Sequence, residues 1–272
     1  MLACCFIFIF ETMADLSVFY DVNTPAPKFN VPGNMAIYGP SKSGKTHFLK
    51  KLLRDRHKLF AFDKESTAFK KIYYFYGSGY QEVFKEIKFQ IGEEIVFREG
   101  FPAQELSEMI EPENRPVLVI LDDLETEIQK SPSARMMLSR ESHHANLYVI
   151  MVFQALFDRG NSVRLREQFD SQVFMKYLSN KQGLRKRFNQ FVPDHQALNL
   201  FVTVYDYWMT LHKGGYIVCD FHSRNRGLRM LERFRTWIFS DDPVQLVLLP
   251  KYEPLPSHHD DTATTPVESW SF

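Results

Sequence analysis

The chain has 272 residues, of which 44% are hydrophobic and 24% charged, and its formal net charge is zero. This composition excludes collagen-like, low-complexity and wholly disordered proteins, and the neutral charge argues against a polycation that coats nucleic acid indiscriminately. Three cysteines without CxxC spacing provide neither a disulfide framework nor a zinc site, which favours a reducing, intracellular setting.

The first 33 residues are predicted to be an irregular lead-in. The chain opens with an apolar run of about ten residues, whereas a membrane-spanning helix needs about 20. The run lacks a basic flank and a small-residue cleavage site, so no signal peptide is expected. Prolines and asparagines then punctuate residues 23–33. Since no later stretch is long and apolar enough to cross a bilayer, we expect no membrane segment.

From residue 34 the chain alternates short apolar runs with stretches of helical spacing. Strands are predicted at 35–38, 71–76, 95–97, 117–121, 148–153, 172–177 and 216–221, and helices at 47–58, 81–88, 103–110 and 133–142. Strands that are apolar on both faces and separated by helices predict an α/β fold with a doubly wound, mainly parallel sheet and helices on both faces. Two closely spaced runs, 215–220 and 228–239, favour an antiparallel C-terminal edge. The predicted domain is 34–250, followed by a flexible tail, 251–272.

Charged residues are unevenly distributed along the chain. Residues 93–127 carry eleven acidic and two basic side chains, whereas residues 159–187 carry eight basic and two acidic ones. An acidic metal-binding region and a separate basic face would produce this pattern, and so would ordinary solvated helix surfaces. Within the basic stretch, residues 181–187 form a compact cluster that suits either a nucleic-acid backbone or solvent. His143 and His144 lack partners at metal-ligand spacing, so a packing or interface role is expected.

Residues 39–46, GPSKSGKT, match the phosphate-loop pattern G-x-x-x-x-G-K-[ST] in full. A predicted strand precedes the motif and an amphipathic helix follows it, as the motif requires. Its turn points backbone N–H groups at the phosphates of a nucleotide, and glycines permit that turn. Lys45 is expected to reach the β- and γ-phosphates of ATP, and the Thr46 hydroxyl to coordinate Mg²⁺. The predicted nucleotide-binding residues are Gly39, Pro40, Ser41, Lys42, Ser43, Gly44, Lys45 and Thr46.

Two carboxylates, Asp122 and Asp123, follow the apolar strand predicted at 117–121. Parallel strands deliver their carboxyl ends to the ligand crevice of an α/β sheet, so Asp122 is predicted to hold Mg²⁺ through a water, partnered with Thr46. Asp123 is predicted to orient the attacking water, which favours hydrolysis over transfer to another acceptor. Alternatively, Asp123 only caps a helix over residues 125–130.

Gln154 follows the apolar strand predicted at 148–153. A glutamine at this point can bond a γ-phosphate and a water together and so sense the nucleotide state, or it can simply be a polar strand end. Three arginines follow, Arg159, Arg164 and Arg166. Any of them could act on the γ-phosphate of a neighbouring subunit or form a surface ion pair.

Taken in this order, the motifs resemble the FtsK–HerA superfamily of pumping ATPases, and more narrowly the genome-packaging ATPases of poxvirus-like, adenovirus-like and Polinton/Maverick-type viruses and elements. The resemblance covers residues 30–240. Its most specific parts are the DD strand end, the HH-N-strand-Q-x-L-F block and the closing R-x-R-T-x-I-F strand. The segments that carry it are GPSKSGKTHFLKKLL (39–53), KIYYFYG (71–77), VLVILDDLETE (117–127), SHHANLYVIMVFQALF (142–157), GGYIVCDFH (214–222) and RFRTWIF (233–239).

The resemblance implies a RecA-like P-loop ATPase that forms a ring, a hexamer, around double-stranded DNA and hydrolyses ATP with Mg²⁺ at subunit boundaries. Capsid proteins are further candidate partners, and the implied location is the intracellular site of virus assembly, in cytoplasm or nucleus, or the virion itself. Arg164 lies ten positions after the sensor glutamine, where relatives carry an arginine that reaches into the next subunit. This chain departs from relatives at Ala155, where they have asparagine, and at residues 165–168. The implied catalytic residues are Lys45, Asp123, Gln154 and Arg164.

Two other functions stay open on the sequence. A nucleoside or nucleotide kinase would share the phosphate loop, and the basic stretch 159–187 could serve as its lid over an acceptor. A non-catalytic scaffold gated by a nucleotide would bind without turnover, although the intact pair of carboxylates after residue 121 argues against it.

Overall fold

The computed structural model describes residues 16–20, 28–62, 67–77, 79–101, 116–131, 146–155, 169–176, 181–189, 198–199, 202, 205–206, 209, 215–220, 234–235 and 246–250. The strands in these ranges are β1 (Leu16–Tyr20), β2 (Phe29–Val31), β3 (Gly33–Tyr38), β4 (Phe60–Phe62), β5 (Lys71–Tyr76), β6 (Ile95–Glu99), β7 (Val117–Asp122), β8 (Leu147–Phe153), β9 (Ser171–Met175), β10 (Tyr216–Asp220), β11 (Phe234–Arg235) and β12 (Leu246–Pro250). The helices are α1 (Lys45–Arg54), α2 (Arg56–Leu59), α3 (Glu82–Ile91), α4 (Glu125–Lys130) and α5 (Lys181–Phe188).

The main sheet has eight strands in the order β11-β10-β9-β3-β8-β7-β5-β6. Every pairing from β9 to β6 is parallel, whereas β10 is antiparallel to β9, and β11 is antiparallel to β10. The predicted mainly parallel sheet with an antiparallel C-terminal edge is therefore confirmed. One consequence matters for the site: β8 lies between β3, which leads into the phosphate loop, and β7, which ends in Asp122.

Two apolar cores lie on opposite faces of this sheet, because successive side chains of a strand point to opposite sides. On one face, Met35 and Ile37 of β3 belong to a core with the buried residues of α1 and α3. On the other, Ala36 and Tyr38 belong to a core with residues of α4 and α5. The prediction of helices on both faces is thus confirmed.

The three central strands β3, β7 and β8 are buried along their whole length. Each large apolar side chain removed from water in this way contributes about 1.5–3 kcal/mol, which is why near-continuous Val, Ile and Leu runs form the middle of a parallel sheet. These strands hold their carboxyl ends side by side, and each end leads into one of the predicted motifs.

The prediction of an irregular lead-in over residues 1–33 was wrong at two places. β1 pairs with β12 in a two-stranded antiparallel sheet, and β2 pairs with β4 in a parallel one. Local proline and asparagine signals mark turns but carry no information about a partner strand that lies 30 or more residues away in sequence. The structure also divides the helix predicted at 47–58 into α1 and α2, with Asp55 between them.

Other predictions fall outside the described residues: the helices at 103–110 and 133–142, and the tail at 251–272. In the part of the chain that the structure describes, no helix is long and apolar enough to cross a bilayer.

Candidate nucleotide-binding site

The phosphate loop connects β3 to α1 in a tight turn. Gly44 is the N-cap of α1 and has a φ of 99°. Glycine adopts this left-handed backbone conformation without steric cost. At Gly39, a Cβ would lie 2.7 Å from Cβ of Met175 and would also collide with the Ser43 side chain. The Gly39 N–H donates to the Phe153 carbonyl oxygen at 3.1 Å, which ties the start of the loop to the end of β8. Both glycines of the motif are therefore required by the geometry.

Lys45, the first residue of α1, turns its side chain back over the loop. Its Nζ donates to the carbonyl oxygens of Gly39 and Pro40 at 2.7 and 2.9 Å. Burial lowers the pKa of Lys45, while the charges of Asp122 and Asp123 act in the opposite direction. The structure therefore brings the loop lysine and both predicted carboxylates within electrostatic reach of one another.

Asp122 is the last residue of β7, and 7% of it is exposed. Its Oδ2 accepts a hydrogen bond from the Tyr74 hydroxyl at 2.7 Å. Burial raises the pKa of Asp122 because it penalises the charged form, and this outweighs the opposing effects of the Tyr74 hydrogen bond and the Lys45 charge. A buried carboxylate of this kind is stabilised in its charged form by a nearby cation.

Asp123 adopts a left-handed backbone conformation with a φ of 59°, which aspartate tolerates better than most residues. Its Oδ1 accepts a hydrogen bond from Gln154 Nε2 at 2.5 Å. The N-cap of α4 is Leu124, and no side chain forms a capping hydrogen bond there. The alternative that Asp123 only caps this helix is therefore wrong.

Gly77 supports the turn that carries the two carboxylates. Its N–H donates to the Asp122 carbonyl oxygen at 3.0 Å, and a Cβ at Gly77 would collide with the Asp123 carbonyl oxygen. The backbone that follows β5 can approach this turn only because residue 77 has no side chain.

The loop and the carboxylates fit a nucleotide with a divalent cation. The Ser43 Oγ is buried and has no hydrogen-bond partner within the described ranges, as expected of a polar group placed to contact an anion. Thr46, half-buried in the first turn of α1, and Asp122 supply hydroxyl and carboxylate oxygens, the ligands that Mg²⁺ prefers. Arg164 lies outside the described residues, as do Arg159, Arg166, His143 and His144.

The basic cluster at 181–187 is part of α5, and its members have different surroundings. Lys186 is exposed, whereas 3% of Arg187 is exposed. The Arg187 Nη2 donates to Gln172 Oε1 at 2.9 Å, and its guanidinium carbon lies 6.0 Å from the centroid of the Tyr38 ring. Arg185 bonds Asn199. The helix therefore packs part of its positive charge onto the sheet under the phosphate-loop strand.

Sequence reasoning missed three residues that shape this site: Tyr74, Gly77 and Met175. Each acts across a strand pairing, so its role depends on the strand register. The segment KIYYFYG contains three tyrosines. The pairing of β5 with β7 places Tyr76 opposite Asp122, and only the side-chain hydrogen bond shows that Tyr74 is the one that reaches the carboxylate.

The strand order, the phosphate loop and the helices on both faces define the RecA-like fold of P-loop NTPases. No protein-family model matches the chain, and neither does any curated protein sequence. Among solved structures, B204, the DNA-packaging ATPase of Sulfolobus turreted icosahedral virus, has a TM-score of 0.46 at 14% identity, covering 70% of this chain and 92% of that one.

B204 of Sulfolobus turreted icosahedral virus 2, in complex with AMPPCP, has the same TM-score at 16% identity and the same coverage. EssC (ATPases 2 and 3) of Geobacillus thermodenitrificans has a TM-score of 0.40 at 12% identity, covering 55% of this chain and 33% of that one. At this level of similarity, the roles of individual residues rest on the geometry described above.

Proposed function

We propose that this chain is an ATPase that converts ATP hydrolysis into the movement of double-stranded DNA into a viral capsid. The observation that carries the ATPase part is that one edge of the sheet brings together a phosphate loop with its lysine, a buried carboxylate and a second carboxylate bonded to Gln154. The DNA-packaging part is supported by the sequence resemblance to the FtsK–HerA superfamily.

The inner groups of the site would hold the nucleotide. The amides of residues 39–44 and the ammonium of Lys45 would bind the phosphates, with the positive end of the α1 dipole directed at the same anion. Thr46 and Asp122 would hold Mg²⁺, which neutralises charge on the phosphates when it is bound.

The outer groups, Asp123 and Gln154, would handle the water. The Asp123 carboxylate would accept a hydrogen bond from it, and the Gln154 amide would orient it towards the γ-phosphate. Both groups act by position and charge, which is what phosphoryl transfer demands of a protein. To contact the water, Gln154 would exchange its present bond to Asp123 for bonds to the water and the phosphate.

The assembly that follows from the resemblance is a hexameric ring with DNA in its centre. Arg164 of a neighbouring subunit would then stabilise the charge that develops at the γ-phosphate, an effect worth about 10³–10⁵ in rate. Capsid proteins are the expected docking partners, and the expected location is the intracellular site of virus assembly.

The kinase alternative has less support than it had on the sequence. A lid over residues 159–187 would need most of that stretch to be free to close over an acceptor. Instead, β9 lies in the sheet beside β3, and α5 packs against it through Arg187.

The test is steady-state ATP turnover by the purified chain, with and without duplex DNA, combined with the mass of the assembly. We expect hydrolysis that duplex DNA stimulates severalfold and a mass that corresponds to a ring. Turnover that depends on a nucleoside instead of DNA would identify a kinase, and tight nucleotide binding without any turnover would identify a scaffold. Either result would overturn the proposal.

A further inference from the structure

We propose that Tyr74 is a positioning residue for the metal-binding carboxylate: its hydroxyl holds Oδ2 of Asp122 and so leaves Oδ1 as the single oxygen that binds Mg²⁺. This inference rests on the proposed function, because it concerns the Mg²⁺ of the same nucleotide site. It gives a role to a residue of the segment KIYYFYG, to which the sequence analysis assigned none.

The strand register places the two side chains on one face of the sheet. In the parallel pair β5 and β7, Tyr74 is opposite Ile120. Asp122 lies two residues beyond Ile120 and therefore points to the same side, the side on which α1 packs. The Tyr74 side chain extends diagonally along this face to its hydrogen bond with Asp122.

Packing fixes the ring that carries this hydroxyl. Tyr74 is fully buried, and its ring centroid lies 5.0 Å from that of Phe84 in α3 and 5.1 Å from that of Phe97 in β6. Protein interiors are close-packed, so these neighbouring rings leave little room for another rotamer of Tyr74. The hydroxyl therefore stands at one place before any ligand arrives.

The hydrogen bond from Tyr74 should affect the binding of Mg²⁺ more than the binding of the nucleotide. Mg²⁺ demands near-octahedral geometry and so depends on the orientation of each oxygen ligand. Hydrogen bonds to a ligating carboxylate set that orientation, and their removal commonly costs about 10–100-fold in metal affinity or activity. Lys45 and the loop amides would contact the phosphates independently of Tyr74. Loss of the hydroxyl should therefore weaken the contribution of Mg²⁺ and spare nucleotide binding without it.

The experiment compares Tyr74→Phe with the wild-type chain by calorimetric titration of AMPPCP, with Mg²⁺ and with EDTA. We expect unchanged affinity in EDTA, within about twofold, and an Mg²⁺-dependent gain in affinity that is smaller by about 10-fold. Electron paramagnetic resonance of Mn²⁺, added with AMPPCP, should show the same weakening. The matched control is Tyr148→Phe, which removes a buried hydroxyl at the start of β8, at the opposite end of the sheet.

Three outcomes would overturn the inference. The first is that Tyr74→Phe loses no more of the Mg²⁺-dependent gain in AMPPCP affinity than the control does, either because it keeps the full gain or because Tyr148→Phe loses as much. The second is a loss of the same size when Tyr74→Phe is added to Asp122→Asn, since a residue that acts through Asp122 has no further effect in that background.

The third needs no variant and applies even if Tyr74→Phe does not fold: a wild-type structure with Mn²⁺ and AMPPCP in which the ion contacts both oxygens of Asp122. If wild-type affinity for AMPPCP shows no dependence on Mg²⁺, the proposed function itself fails.

Discussion

The two halves of the candidate site are built differently. The inner half consists of Lys45, Asp122 and Tyr74; each is wholly or partly buried and held by hydrogen bonds of 2.7–2.9 Å. The outer half consists of Asp123 and Gln154; Asp123 is half-buried, Gln154 is exposed, and one hydrogen bond of 2.5 Å joins them.

Because of this difference in burial, we expect the inner half to bind the nucleotide and the outer half to act in its hydrolysis. A buried, hydrogen-bonded group resists displacement because an unpaired polar group in the interior is costly. An exposed hydrogen bond has a net worth of only about 0.5–1.5 kcal/mol, since water replaces the partner. The inner half is thus fixed before ligand binding, and the outer pair can exchange partners during the reaction. Variants of the two halves should therefore differ in whether binding or turnover is lost.

The largest expected effect is that of Lys45→Ala in the inner half. Removal of the only ammonium that bonds the loop carbonyls in the described site should weaken nucleotide binding and lower kcat/KM by about 10²–10³-fold or more. Nucleotide titration and phosphate release measure the two losses. Lys58→Ala, at an exposed position of α2 outside the site, is the control. Equal loss in both variants would mean a general effect of charge, and retained turnover in Lys45→Ala would remove Lys45 from the site.

Asp123→Asn should separate turnover from binding. The substitution keeps the size of the side chain but removes the carboxylate that we propose accepts a hydrogen bond from the attacking water, so kcat should fall by about 10²–10⁴-fold. Affinity for ATP·Mg²⁺ should stay within about twofold of wild type. Glu127→Gln makes the same chemical change at an exposed position of α4 and should leave both quantities unchanged. Equal loss of binding and turnover in Asp123→Asn would contradict the division into two halves.

Gly39→Ala tests the loop backbone of the inner half. The added Cβ would lie 2.7 Å from Met175 Cβ, so the free energy of unfolding should fall by about 1–3 kcal/mol and nucleotide binding should be lost. At Gly92 an added Cβ meets no atom within 4 Å, but φ is 87° and ψ is −154°, so Gly92→Ala costs about 1–3 kcal/mol through the backbone alone. Denaturant unfolding and nucleotide titration compare the two variants. Wild-type binding by Gly39→Ala would contradict the geometry of the loop.

The smallest expected effect is a difference in the free energy of unfolding between variants of two neighbouring residues in α5. Arg187→Met leaves the buried Gln172 Oε1 without its guanidinium partner and should lower the free energy of unfolding by about 1–3 kcal/mol. Lys186→Met changes an exposed side chain and should stay within about 0.5 kcal/mol. Denaturant unfolding measures both. Equal values would show that the helix presents all its charge to solvent, as one interpretation of the sequence had it.

The central fold could be predicted from the sequence because its signals are local. Apolar runs such as residues 117–121 and the glycines of the phosphate loop are readable without knowing their neighbours, and the strands predicted for β3 and β5–β10 have bounds within two residues of the observed ones. The run predicted at 228–239 corresponds in the described residues only to the two-residue strand β11. The partners of β1 and β2, and the burial of Arg187, were not readable. They depend on contacts between segments that are distant in sequence, and periodicity contains no record of such contacts.

The same distinction holds within the site. The motif spacing placed Lys45, Asp122 and Gln154 at strand and loop ends, and the strand order brought those ends together. The sequence left open whether Asp123 orients the attacking water or only caps the helix over residues 125–130, and it did not predict the bond between Asp123 and Gln154. The role of Tyr74 depends on a hydrogen bond between the side chains of two strands, β5 and β7, and the sequence does not show which tyrosine of β5 forms it.

The most direct test of the central claim is a crystal structure of the chain with AMPPCP and Mg²⁺. The account predicts that the terminal phosphate contacts Lys45 Nζ and the amides of the loop. It also predicts that the metal lies at about 2.0–2.1 Å from the Thr46 hydroxyl and binds Oδ1 of Asp122. A nucleotide bound elsewhere on the chain, or one whose phosphates lie in the loop while Asp122 and Asp123 both face away from them, would contradict it.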